Sequence, residues 1–168
     1  MSLTGKPALT TLIDIANDGF WPDLAIGDLV TQYRIPPEYD DLVIKTGLVQ
    51  AIVTVNAKLA AIKLAVLALD YDDFTEYAEA EHPATINDVN TLLLHYEHAV
   101  FTHAKADLLK QFNSLNRKAN AENAAKESDD TWEFWLNAAQ GSIKALFNAV
   151  LPDDETTQGA ANVHVALL

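Results

Sequence analysis

The chain is predicted to fold as an all-α domain. The expected architecture is an antiparallel bundle of three long helices plus a short N-terminal helix, with an extended N-terminal arm and C-terminal tail. Three observations predict it. Apolar residues recur at alternating steps of four and three along three separate segments, which is the stripe of one helical face. Prolines stand where those segments begin or end, at Pro36-Pro37, Pro83 and Pro152, and proline interrupts helices. The 168 residues are 49% hydrophobic and 21% charged, enough for one domain with a buried core. The expected division is an arm over 1–18, a helical bundle over 19–151, and a flexible acidic linker with an extended tail over 152–168.

Each element follows from its residues. Gly5 and Pro7 break the arm, with a short extended piece expected at Leu12 to Ile15. Asp23 is positioned to cap a short helix from Leu24 to about Tyr33. Pro36 stops it by disfavouring helical geometry at Ile35. The first long helix starts near Glu38, with Asp40 and Asp41 suiting the positive end of its dipole. It is expected to reach about Leu69 on the stripe Leu48, Ile52, Val55, Leu59, Ile62, Val66 and Leu69.

Asp70 to Thr85 reads as an acidic connection. The second long helix is expected from Asn87 or Asp88 for about 28 residues, roughly 40 Å. Its face is Val89, Leu93, Tyr96, Val100, Ala104, Leu108, Phe112 and Leu115. Asn113 to Asp130 reads as a frayed end and mobile loop. The third helix starts at Ser128-Asp129-Asp130 and follows Trp132, Leu136, Ala139, Ile143, Leu146 and Val150 until Pro152. Gly141 inside it is either a close helix crossing or a tolerated weak point. Phe20, Trp21, Trp132 and Trp135 are the expected core anchors, and Leu48, Ile52, Leu59, Leu93, Val100, Ile143 and Leu146 are expected to be buried.

Charge and chemistry narrow the function. The 24 acids against 11 Lys and Arg give a net charge of −13, a poor basis for a general nucleic-acid binder. Cysteine is absent, which excludes thiolate catalysis and cysteine-ligated metals. No nucleophile elbow or phosphate-cradling glycine loop occurs. His95 and His98 lie one helical step apart but lack further ligands. Glu79-Ala80-Glu81-His82 is one Glu-x-x-His step, read as loop, with no second step for a di-iron bundle. The acids from Asp70 to Glu81 lack the turn of a calcium loop. Phe134 between Trp132 and Trp135 invites a ligand cage, but this spacing suits core anchors better. No cofactor, metal or enzymatic activity is expected. The charge-free stretches Thr46–Ala57 and Thr156–Leu168 fall short of the roughly 20 apolar residues that span a bilayer. No secretory signal pattern precedes the domain, so no membrane association and a cytoplasmic location are expected.

Several ordered blocks carry a resemblance. They are Asn17-Asp18-Gly19-Phe20-Trp21-Pro22-Asp23, then Gln50-Ala51-Ile52 with Val55-Asn56-Ala57-Lys58-Leu59, then Leu94-His95-Tyr96-Glu97-His98-Ala99-Val100 with Ala104-Lys105-Ala106-Asp107-Leu108-Leu109, and more loosely Trp132 to Ile143. In this order they resemble the head completion proteins (gpL type) of contractile-tailed bacteriophages over residues 15 to 150. The chain departs from that pattern at Gln111-Phe112-Asn113-Ser114 and at Val165-Ala166-Leu167-Leu168.

The resemblance implies a connector adaptor of the virion. Such a protein assembles below the portal protein after DNA packaging as a homo-oligomeric ring of about twelve copies. It helps retain the genome and offers a docking surface to the tail completion or terminator protein, while DNA only passes through the channel. Within that reading, Leu64, Leu67 and Ala68, on the second apolar side of the first long helix, are ring-interface candidates. Lys105, Lys110, Arg117 and Lys118 are a candidate DNA-facing basic stretch. Val163, His164, Val165, Ala166, Leu167 and Leu168 form a strand-like tail suited to adding onto a sheet edge of the portal. The alternative is a small cytoplasmic helical protein-binding module or regulator, which would bind its partner one to one.

Overall fold

A computed structural model of the protein describes residues 14–35, 39–116 and 131–151. Among them are six helices and two small antiparallel pairs of strands. The fold is mainly α. β1 (Asp14–Ile15) pairs with β2 (Leu24–Ala25), closing the turn that holds Asn17 to Asp23. Asp14 to Asp18, expected in the arm, are thus built onto the helical unit. α1 (Ile26–Gln32) follows directly. Asp23 does not cap it as expected. Its Oδ1 accepts the Asn17 amide at 2.8 Å instead, and β2 takes the two residues between.

The first long helix is two helices. α2 (Asp41–Lys58) starts at Asp40, whose side chain accepts the Leu42 amide. α3 (Ala60–Leu67) leaves it at a bend of 62°. Leu59, fully buried with φ −91° and ψ 9°, is the joint. The bend turns α3 onto the helices that follow, so Ile62 and Val66 are covered while the helix axis changes direction.

The connection expected after Asp70 contains a helix, α4 (Phe74–Glu81). Asp73 caps it by accepting the Glu76 amide at 2.8 Å, and Phe74, Tyr77 and Ala78 are buried at helical spacing. This combination outweighs the acidic composition. The next helix does not start at Asn87 or Asp88. Those residues carry φ of 51° and 63°, the left-handed pair that a tight hairpin turn needs. They join β3 (Thr85–Ile86) to β4 (Val89–Asn90). α5 (Thr91–Asn116) then begins under Asn90, whose Oδ1 accepts the Leu92 amide. α6 (Trp132–Val150) is capped by Thr131 rather than by Ser128, Asp129 or Asp130.

α5 packs along both α2 and α6. At its crossing with α2 a Cβ on Gly47 would meet Leu108 Cδ2 at 3.1 Å, so glycine permits the close approach there. Gly141 has open space around it and makes no such crossing. Leu48, Ile52, Leu59, Val100 and Leu146 are buried as expected, whereas Leu93, Trp132 and Ile143 are half-buried. Phe20 and Trp21 are 4% and 2% exposed. Among the described residues no single helix is long and apolar enough to cross a membrane.

Candidate assembly surfaces

Three of the sequence blocks meet at one point. Asn17 Nδ2 donates to Tyr96 Oη at 2.7 Å, Tyr96 Oη donates to Asn56 Oδ1 at 2.8 Å, and Asn56 Nδ2 donates back to Asn17 Oδ1 at 2.8 Å. The circuit joins the N-terminal turn, α2 and α5, and each donor has an acceptor inside it. Asp18 Oδ1 accepts the amides of Phe20 and Trp21, and its other oxygen meets Lys63 Nζ of α3 at 2.7 Å. Burial works against the Asp18 charge, but Lys63 and the two amides hold its carboxyl below the ordinary range. Burial pushes the Tyr96 phenol well above its ordinary value, with Asp18 adding to it. The Asn17–Asp23 block therefore locks the end of the helices together.

The outer side of α3 has the opposite character. Leu64 is 69% exposed, Leu67 43% and Leu69 59%, with Ala68 exposed beside them. Ile62 and Val66 on the inner side are fully buried. The ring-interface candidates thus form an apolar strip on the surface of the single chain.

Other expected site residues are corrected or fall elsewhere. Lys105 is buried. Its ammonium sits 4.1 Å above the Trp135 ring and donates to Tyr33 O at 2.8 Å. A lysine held this way lies within the helix packing, with its stem covered and its charge engaged. Lys110 is exposed but lies 4.1 Å over the Trp132 ring. Trp132 and Trp135 are accordingly half-buried platforms for lysines rather than core anchors, and Phe134 is 56% exposed. Arg117, Lys118 and the tail Val163, His164, Val165, Ala166, Leu167 and Leu168 lie outside the described residues.

The histidines make pairwise contacts rather than a cluster. His98 Nδ1 lies 2.8 Å from Ser142 Oγ, tying α5 to α6. His103 Nδ1 is 3.1 Å from Asp107 Oδ2 one turn along α5, close but not aligned for a hydrogen bond. Glu79 to Glu81 belong to α4 rather than to a loop. Among the described residues no group of three or more His, Asp or Glu converges to hold a metal ion.

The chain is thus a small, mainly helical protein, locked at one end by its aromatic turn and carrying exposed leucines on the outer side of α3. The model of the phage head completion protein (GPL) family matches residues 15–150, and the chain belongs to that family. It is 34% identical over 102 residues to a probable head completion/stabilization protein of Haemophilus phage HP1 (strain HP1c1). That match covers 61% of this chain and 65% of the relative, so the aligned part is less than two thirds of the relative's length. No solved structure matches the chain.

Proposed function

We propose that the protein is a structural component of the virion, a head completion adaptor that adds below the portal as a ring after packaging. In this role it helps retain the genome and offers the tail its docking surface. It is made in the host cytoplasm and ends at the head–tail connector. Family membership supports the head completion role.

The observation that carries the ring is the exposed apolar strip at the end of α3, with Leu64 and Leu67 on the helix and Ala68 and Leu69 just beyond it. Fully burying one leucine is worth about 1.5–3 kcal/mol. Three of them on one short segment are a reason to associate and cost little to leave folded. The strip sits on the helix that Lys63 ties to Asp18, so it is presented rigidly. The tail, Val163 to Leu168, is the proposed portal anchor, and the net charge of −13 lets DNA pass without being gripped.

The test is the double substitution Leu64→Asp and Leu67→Asp, assayed by adding purified protein to packaged, portal-bearing heads. Normal thermal unfolding with loss of head-bound copies supports the interface. Undiminished assembly places the interface elsewhere. Truncation after Gly159 separates the tail's part, with binding lost and melting temperature unchanged as the expected result.

A further inference from the structure

A cleft of about 440 Å³ opens between the end of α1, the β3–β4 hairpin, α5 and α6. Tyr33, Ile86, Leu94, Glu97, His98 and Ser142 line it. Gln32, Thr91 and His95 complete its polar lining. His98 and Ser142 hold each other, and the Tyr33 ring packs edge-on against Phe101 and Trp135.

Glu97 is different. It is half-buried, yet among the described residues no cation or hydrogen-bond donor meets its carboxylate. Asp28 of α1 adds a second negative charge acting on the same group. Burying a carboxylate without a partner is costly, and a like charge nearby makes it worse. Burial and Asp28 together push the Glu97 carboxyl above its ordinary range, and the Glu97 charge in turn helps raise Tyr33 to about 12. Beside this carboxylate, Ile86 is 65% exposed and gives the cleft an apolar ledge.

We infer that the cleft docks an arginine side chain of a partner protein, with Glu97 as its ion-pair acceptor and Ile86 and Leu94 as the ledge for its aliphatic stem. A guanidinium fits better than an ammonium. It is planar, weakly hydrated and pairs with a carboxylate through two parallel hydrogen bonds. The net charge of −13 attracts basic partners over distance. The cleft lies on α1, α5, α6 and the hairpin, so it is independent of the α3 strip, and variants here leave the ring interface intact.

The test uses nuclear magnetic resonance on the full chain with two probes, acetyl-Leu-Arg-Leu-amide and the same peptide with neutral citrulline for arginine. The arginine peptide should give saturable shifts at the amides of Tyr33, Ile86, Glu97 and His98. Binding should be about tenfold or more weaker for the citrulline peptide and for Glu97→Gln. Glu97→Gln should also raise the melting temperature of the free chain, because an unpaired charge is removed. Equal binding of the two peptides, or no saturable shift at the cleft, overturns the inference. A lowered melting temperature also overturns it, by showing Glu97 engaged within its own chain. Self-association that Glu97→Gln abolishes would assign the cleft to a second copy and overturn the partner-protein assignment.

Discussion

The Trp21 indole lies flat on the Tyr96 ring, with centroids 4.8 Å apart and planes within 3°. Phe20 meets the same indole edge-on at 4.9 Å, and Phe74 of α4 approaches it at 4.7 Å. One turn of chain, from Asn17 to Asp23, thereby joins α2, α3, α4 and α5. Trp21→Ala should cost about 3–5 kcal/mol, as expected for an aromatic removed from a packed core. Urea unfolding measures it. A loss below about 1 kcal/mol would mean that the helices hold together without this turn.

The circuit Asn17–Tyr96–Asn56 makes a separate prediction. Tyr96→Phe keeps the stacking and removes one hydroxyl, leaving Asn17 Nδ2 without its Tyr96 acceptor and Asn56 Oδ1 without its donor. The expected loss is about 1–3 kcal/mol. A double-mutant cycle with Asn56→Ala should show coupling between the two positions. Additive losses would show that the bonds act singly.

The two helical glycines should respond oppositely. Gly141 has open space around it, so Gly141→Ala should stabilise α6 by up to about 1 kcal/mol. At Gly47 the Leu108 side chain stands in the way. Gly47→Val should destabilise by about 1–3 kcal/mol through overpacking between α2 and α5. Melting temperatures of the two variants moving in the same direction would contradict the crossing described.

His98 sets a pH dependence. Burial, with His95 nearby, lowers its pKa, so the fold favours the neutral ring. Its contribution is complete above the unfolded value of about 6.5 and is lost as pH falls through the folded value. Glu97 has the opposite sign, since its carboxyl is raised and its cost is relieved only at lower pH. Through His98, the melting temperature should fall as pH drops from 7 to below about 6.5. His98→Gln should flatten that slope. An unchanged slope would assign the effect to other groups.

Sequence periodicity located the buried side of the first long segment but not its shape. Leu48, Ile52, Val55, Leu59, Ile62 and Val66 all lie in the core on both sides of the bend. No glycine or proline marks Leu59, because packing of α3 on α4 and α6 imposes the bend from outside the segment. α4 had a local signal. Asp73 three residues before Glu76, followed by Tyr77 and Ala78 behind Phe74, is a capping pattern with an apolar face, and the run of acids hid it. Asn87-Asp88 suits a helix start by sequence alone. Both residues are also good left-handed turn formers, and the short flanking strands Thr85–Ile86 and Val89–Asn90 gave little alternation to settle the choice.

The surfaces were legible to different degrees. Leu64, Leu67 and Ala68 followed from a helix apolar on more than one side, and they are exposed. Lys105 read as part of a basic stretch because sequence shows charge and not depth. Only the fold brings Trp135 and the Tyr33 carbonyl to its ammonium. The Glu97 cleft had no sequence signal, since α1, the hairpin with α5, and α6 are far apart in the chain.

Cryo-electron microscopy of the head–tail junction of the parent phage tests the central claim most directly. The account predicts a ring of this helical fold directly below the portal, with α3 and its Leu64–Leu67 strip buried between neighbouring copies. Density at that position from another protein, or a ring in which the α3 leucines face solvent, would contradict it.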